Sequence, residues 1–235
     1  MGRIKVYSFD LCGYMAHFRK RYTTSSALTY YLPPRTTITG IIANLLGMPR
    51  DSYYEQFSSE KMQIAVACKS EARRIVQGLN LLHIEGTETK KCSSQTKFEF
   101  LVPKEDYLRY RIWLAGDSIK ELDELFNDGI YKSRGASVSL GPAFTLGWIE
   151  NISTIQGTPG AEQALIHSAV PDTTEIFISP ENKIFKEDLF LDFSPQRNPK
   201  NFRSIVFDVA GKPIKCNAKY TRLESGENIM FLSST

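Results

Sequence analysis

Cysteine and histidine are scarce in this chain of 235 residues, and the scarcity excludes several chemistries at once. The four cysteines (Cys12, Cys68, Cys92, Cys216) stand singly and far apart. The three histidines (His17, His83, His167) keep no ligand spacing with them. Without a CxxC pair or a Cys/His cluster there is no zinc-finger-type site and no disulfide framework to expect. The economical expectation is a reducing, cytoplasmic setting with no metal and no other cofactor. No P-loop, no Ser-His-Asp order and no paired metal carboxylates appear. Long apolar runs are missing too. The longest, around Ile41–Met48, is interrupted by Asn44 and falls short of the ~18 residues a membrane span requires. The opening MGRIKVYSFD is strand-like and reads as no secretory leader. A strong charge of one sign is also absent: 29 Lys+Arg face 26 Asp+Glu, a net of +3. Disorder is excluded by the 42% of apolar residues, ample for a core.

The near balance hides an asymmetry. Residues 1–50 carry seven basic residues against the single acid Asp10, a net of +6. Such a block suits a polyanion, because each phosphate contact releases counterions. By charge alone, a solvated surface explains it as well.

The hydrophobic pattern organises the chain. IKVYSFDL at 4–11 reads as a strand. Ile38, Ile41, Ile42, Leu45 and Leu46 recur at helical spacing after Pro33-Pro34 and before Gly47, predicting a helix near 36–46. A short helical piece over 51–57 is expected next. Met62, Ile64, Val66 and Cys68 alternate, as do Phe98, Phe100 and Val102, and then Leu108 through Leu114, predicting strands near 62–68 and 98–114. Ser118 and Glu121 form a capping box before the apolar face Ile119, Leu122, Leu125 and Phe126. FTLGWIENI at 144–152 is a last strand. The order is βαββαβ, that of an α+β ferredoxin-like or RRM-type sandwich, with helices on one face of a four-stranded sheet and the other face free for a ligand or second domain. Residues 71–97 form a charged insertion between its second and third strands, read as a protruding hairpin. STIQGTPG at 153–160 reads as a linker. The predicted domains are 1–152 and a small β-rich region, 153–235.

Chemistry is concentrated in AHFRKRYTTSSALTYYLPPRTTITG, residues 16–40. Basic groups for phosphates, hydroxyls for phosphate oxygens and aromatics for unpaired bases alternate here. The expected RNA-binding residues are Tyr14, His17, Arg19, Lys20, Arg21, Tyr22, Thr23, Thr24, Ser25, Tyr31, Arg35 and Thr36. The helix start at Arg35–Thr37 offers free N–H groups to an anion. Arg73, Arg74, Lys90 and Lys91 of the insertion join this set, as does Arg134 in the loop 130–143. An ordinary loop accounts for each residue singly. It does not account for twenty consecutive residues of this composition.

The run FDLCGYMAHFRKRYTTSSALTYYLPPRTTITGIIANLLG resembles the N-terminus of the family-five RAMP proteins associated with CRISPR. The tyrosine pair in RDSYYEQF and the stretch LGPAFTLGWIENI resemble the same family more loosely, and the style is most similar to type I-B members. The resemblance implies an RRM-like domain with a thumb hairpin at 71–97. It also implies a non-catalytic role in a Cascade effector complex. The subunit would hold the 5′ handle of the guide RNA (crRNA) beside a backbone RAMP subunit and the large subunit, and meet target DNA through the complex, with no membrane involved. Leu79, Leu81 and Leu82 would then wedge against bases or a neighbour. Two other readings stay open. One is a metal-independent endoribonuclease of the type I-C kind, with His17 as acid or base near Tyr14, Tyr22 and Lys20. The other is a scaffold subunit that touches mainly protein. The absence of a second histidine in the basic segment favours binding over cleavage.

Overall fold

Strand β1 (Ile4–Gly13) alternates two buried sets of side chains, so both of its faces are covered. Tyr7, Phe9 and Leu11 face one cluster, while Val6 belongs to another on the opposite side. The computed structural model describes residues 2–23, 26–85, 88–116, 121–126, 135 and 137–233. It shows an α+β fold dominated by one antiparallel sheet. Helix α1 (Arg35–Leu45) follows β1, and then β2 (Gln63–Cys68). A long hairpin of β3 (Ala72–Glu85) and β4 (Glu88–Pro103) precedes β5 (Leu108–Ala115). The short α2 (Glu121–Leu125) leads to β6 (Gly147–Gly160). Past short strands at Gln163–Ile166, Val170–Pro171 and Glu175–Phe177 comes a hairpin of β7 (Ile184–Phe193) and β8 (Pro199–Asp208), then a short strand at Ile214–Asn217, β9 (Tyr220–Leu223) and β10 (Asn228–Ile229).

The main sheet runs β10-β9-β6-β1-β5-β2. Four adjacent strands, β6-β1-β5-β2, are in the order and directions that the βαββαβ reading requires, with β1 antiparallel to both β5 and β6 and β5 antiparallel to β2. On one face lies α1. Its periodic residues Ile38, Ile42 and Leu45 are at most 1% exposed, each stabilising by about 1.5–3 kcal/mol through burial. Gly47, at φ 71°, ends the helix as the sequence suggests.

Four expectations are corrected. The second face of the sheet is not left to a ligand, because Leu223, Ile229 and Phe231 of the C-terminal region cover it. Leu232 pairs with Ile64 on the β2 edge, so the sheet curls into a near-closed barrel around Val6, Ala65, Trp113 and Ile229. Phe98, Phe100 and Val102 do not begin the third sheet strand. They are the returning arm of the hairpin, whose ladder extends to Ala72 and Pro103. The base of that hairpin is core, with Phe100 and Leu101 fully buried. Residues 153–160 are not a linker but the second half of β6, paired with β1 and then β9. Continuous β6 thus runs through the expected boundary at 152. Leu189, Leu191, Ile205 and Phe207 of β7 and β8 share one cluster with α1 and the sheet. The segment 51–57 forms turns rather than a helix. Ser118 of the expected capping box lies outside the described residues.

Candidate nucleic-acid interface

The segment after β1 is built as a clamp. Ala16 pairs with Leu101 at the hairpin base, and the His17 N–H donates to the Leu140 carbonyl at 2.9 Å. Phe18–Arg19 pairs with Thr29–Tyr30, and Ser26–Ala27 lies parallel to Lys97–Phe98. Thr29, fully buried, accepts from the Phe18 N–H at 2.9 Å and gives its own N–H to the Glu99 carboxylate at 2.9 Å. These bonds explain why hydroxyl-rich sequence lies beside core: the hydroxyls close backbone groups that have no sheet partner.

Of the seven basic residues in 1–50, five meet carboxylates. The pairs are Arg3–Glu224, Lys5–Asp123, Lys20–Glu187, Arg35–Asp192 and Arg50–Asp51. Arg19 and Arg21 are exposed and have no carboxylate partner among the described residues. Arg21 instead lays its guanidinium 5.0 Å from the Phe193 ring centre and donates to the Arg197 carbonyl at 3.0 Å. The charge surplus is therefore narrowed to two neighbouring guanidiniums.

Both guanidiniums line a cavity of about 450 Å³. Its floor and walls are Phe18, Tyr30, Phe98, Leu189, Phe190 and Phe193. Pro34, Thr36 and Thr37 bring in the start of α1, and Gly141-Pro142 closes one side. The α1 N-terminus has no side-chain cap, but the Thr37 N–H, expected to be free, donates to the Pro34 carbonyl at 2.9 Å. His17 belongs to the same wall and is only 2% exposed. Its Nδ1 lies 2.7 Å from the Glu99 carbonyl, and its ring packs 5.0 Å from Phe98 and 5.6 Å from Phe100. A carbonyl only accepts, so Nδ1 carries the proton and Nε2 is a bare acceptor. Burial lowers the His17 pKa below its ordinary value, against the opposing pull of the Glu99 carbonyl. Burial likewise pushes the Tyr30 hydroxyl up to about 12.

Other expected residues fall into four groups. Tyr14 and Tyr22 are exposed at 67% and 65%, Arg73 is exposed, and Thr23 bonds the Lys20 carbonyl at 2.9 Å. Lys20 and Arg74 reach the buried Glu187 carboxylate at 3.1 and 3.4 Å, and Glu187 also takes the Tyr31 N–H. Burial raises the Glu187 carboxyl despite these cations. Tyr31 and Arg35 are withdrawn from the surface. Tyr31 is 7% exposed and its hydroxyl donates to the Ala72 carbonyl at 2.6 Å, so its ring cannot stack on a base. Arg35 is 1% exposed and donates to Asp192 and to the carbonyls of Leu191, Phe57 and Met62. Thr24, Ser25 and Arg134 lie outside the described residues, as do the side chains of Lys90, Lys91, His83 and Cys92. Phe98, Phe190, Phe193 and the Gly141 loop escaped the sequence reading. Their strand-like or loop-like patterns carry no sign that the fold would gather them.

Burial of His17 and His167 gives a pH prediction. Both are lowered below their ordinary 6.5 chiefly by desolvation. The unfolded chain then binds more protons than the folded one below neutrality. Their stabilising share should be complete above pH ~7 and decline as pH falls through 6.5 toward the folded values. Thermal melts from pH 7.5 to 5.5, compared between the parent and His17→Gln, should show a shallower decline in the variant. Equal slopes would rule out the His17 share. Glu187, raised on folding, titrates with the opposite sign, so the comparison rather than the raw slope is decisive.

Among the described residues no three His, Cys, Asp or Glu side chains form a metal-binding group, and no helix is long and apolar enough to cross a membrane. No curated protein matches the sequence. In fold, the chain is similar to a CRISPR protein from Archaeoglobus fulgidus, with 11% identity, a TM-score of 0.62 and coverage of 96% of this chain and 98% of that one. It is also similar to a chain of a CRISPR RNA-guided surveillance complex, with 12% identity, a TM-score of 0.57 and coverage of 89% and 91%. At such identities the likeness speaks for the fold. The sequence itself matches the family described as CRISPR-associated protein (Cas_Cas5) over residues 6–122, the stretch that holds the clamp, α1 and the hairpin. The chain belongs to the Cas5 family of CRISPR-associated proteins, of the RAMP type.

Proposed function

We infer that the chain is a guide-RNA-binding subunit of a CRISPR surveillance complex and that the clamp, the cavity and the hairpin base form its RNA face. The observation that carries this reading is the pair Arg19 and Arg21. They are the basic residues of the N-terminal block left without a carboxylate among the described residues, and both border an aromatic-walled cavity beside an uncapped helix start. Cations at the rim and aromatic faces within are the elements of single-strand binding. The similarity to a chain of an RNA-guided surveillance complex supports the same reading. Exposed Val76 and Leu82 on the hairpin, at 66% and 71%, suit contact with a neighbouring subunit. The finer assignments, to the 5′ handle and to type I-B, rest on the family resemblance.

Binding is favoured over cleavage by the titration of the cavity. A general base works best with a pKa near the working pH. His17 is lowered and its Nδ1 proton is committed to Glu99, while the Tyr30 hydroxyl is held near 12.

The double substitution Arg19→Ala/Arg21→Ala should lower the melting temperature only slightly, since neither guanidinium holds a carboxylate and only the exposed Arg21 contacts with the Phe193 ring and the Arg197 carbonyl are lost. It should weaken binding of single-stranded RNA and reduce the slope of log affinity against log salt by about 0.7 per lost contact. Fluorescence anisotropy across a salt series measures both quantities. An unchanged affinity and slope would remove these arginines from the RNA face and favour the scaffold reading.

A further inference from the structure

Within the cavity, one polar atom lacks a role. His17 Nε2 is buried and has no hydrogen-bond partner among the described residues. With Nδ1 fixed on Glu99, Nε2 is the ring nitrogen left over, and His17 is one of the residues that line the cavity. An unpaired buried acceptor is costly, and a native protein that keeps one calls for an explanation. The surroundings limit what could satisfy it. Phe98, Phe190 and Phe193 offer flat apolar walls, Arg19 and Arg21 offer positive charge at the mouth, and the backbone at Thr36–Thr37 opens α1 toward the same space. The volume, about 450 Å³, is that of a small-ligand cleft. An apolar side chain of a partner would leave both Nε2 and the guanidiniums without a counterpart. A flat ring with an N–H edge, joined to anionic groups, answers all three.

We propose that this cavity seats one unstacked base of a single-stranded RNA, its N–H edge donating to His17 Nε2 and its neighbouring phosphates meeting Arg19 and Arg21. The proposal rests on the RNA-binding reading and adds to it a single-base reader. The reader admits bases with an amino or imino N–H to give and disfavours a ring that presents only acceptors, because such a ring leaves Nε2 unpaired. Phosphate contacts alone would be indifferent to base chemistry.

The test uses the full chain and three short RNA oligomers: one wholly abasic, one abasic except for a single adenine, and one with purine in place of that adenine. Purine has the same ring without the amino group. The single adenine should raise affinity about tenfold over the abasic oligomer, the scale of one stacked and bonded base. Purine should lose most of that gain. In Phe190→Ala, a change at a half-exposed wall, the adenine gain should shrink at least threefold. An adenine gain that is absent, that purine reproduces fully, or that Phe190→Ala leaves untouched overturns the proposal. So does adenosine monophosphate bound as tightly as the adenine oligomer, which would make this a free-nucleotide site. Failure of all three oligomers to bind overturns the RNA reading itself, and binding without an adenine gain overturns the pocket alone.

Discussion

Replacing Arg35 by methionine should destabilise the protein by about 3–5 kcal/mol, the cost of breaking a buried ion pair from one side. Methionine fills similar space but leaves Asp192 charged and buried. The carbonyls of Leu191, Phe57 and Met62 each lose a donor at the same time. Asp192 keeps the Ser59 N–H and the Asn201 amide, at 2.9 and 2.7 Å, which do not neutralise it. Adding Asp192→Asn should recover part of the loss by removing the stranded charge. Urea unfolding with an unchanged slope on denaturant reads the difference. A loss under about 1 kcal/mol would show that water enters to solvate Asp192, contrary to its 7% exposure. The folded fraction of Arg35→Met should still bind RNA, since the guanidinium points inward.

The second large effect is expected at Gly141. Its φ is +121°, a region that side chains rarely adopt, and a Cβ there would lie 2.0 Å from the His17 carbonyl oxygen. The loop cannot simply withdraw. Leu140 accepts the His17 N–H and donates its own to Thr145, while Thr145 donates to Pro142. Gly141→Ala should therefore cost roughly 3 kcal/mol, from backbone strain and overpacking together. Because Gly141 and His17 share the cavity wall, RNA affinity of the folded fraction should fall as well. A melt and an anisotropy titration on one preparation test both. Wild-type stability would mean that the clamp yields easily, and the cavity would then be a soft feature.

How far the sequence could be read follows from the range of the interactions. Local periodicity sufficed for β1, for α1 from its Ile38–Leu45 stripe and for the strands over 63–68 and 108–115, because one buried face repeats within a few residues. Arg35 and Tyr31 were misplaced because their partners, Asp192 and Glu187, come 157 and 156 residues later. No local pattern marks such a pairing, so a cation beside prolines and threonines reads as surface. The supposed linker failed for a steric reason. Gly160 is a strand residue with the Tyr220 ring 2.5 Å from where its Cβ would be, and a glycine forced by close approach looks like a glycine in a turn. Phe98–Val102 alternate correctly, yet alternation does not say which sheet a strand joins. The basic segment was legible as a candidate site, and Arg19, Arg21 and His17 do border one cavity. Phe18 and Tyr30 of its walls lie in that segment, but Phe98, Phe190 and Phe193 come from β4 and β7, far apart in sequence, and only the fold unites them.

The pairing of Leu232 with Ile64 also bears on how the protein is made. Until residues near 169 and 232 have emerged from the ribosome, the outer edge of β2 lacks the neighbours that close it, the Ala169 N–H on the Val66 carbonyl and Leu232 on Ile64, although β1, α1 and β5 can already be in place. A nascent chain at that stage presents an open row of amide and carbonyl groups, a template for strand pairing between copies. Closure depends on a contact between distant parts of the chain, which is slow to form by loop-closure entropy. Synthesis therefore passes through an interval of exposure that ends only with the C-terminal strands. Chains interrupted before 228–232 should accumulate as aggregates rather than as soluble fragments, even though the proposed RNA face lies elsewhere and is already encoded.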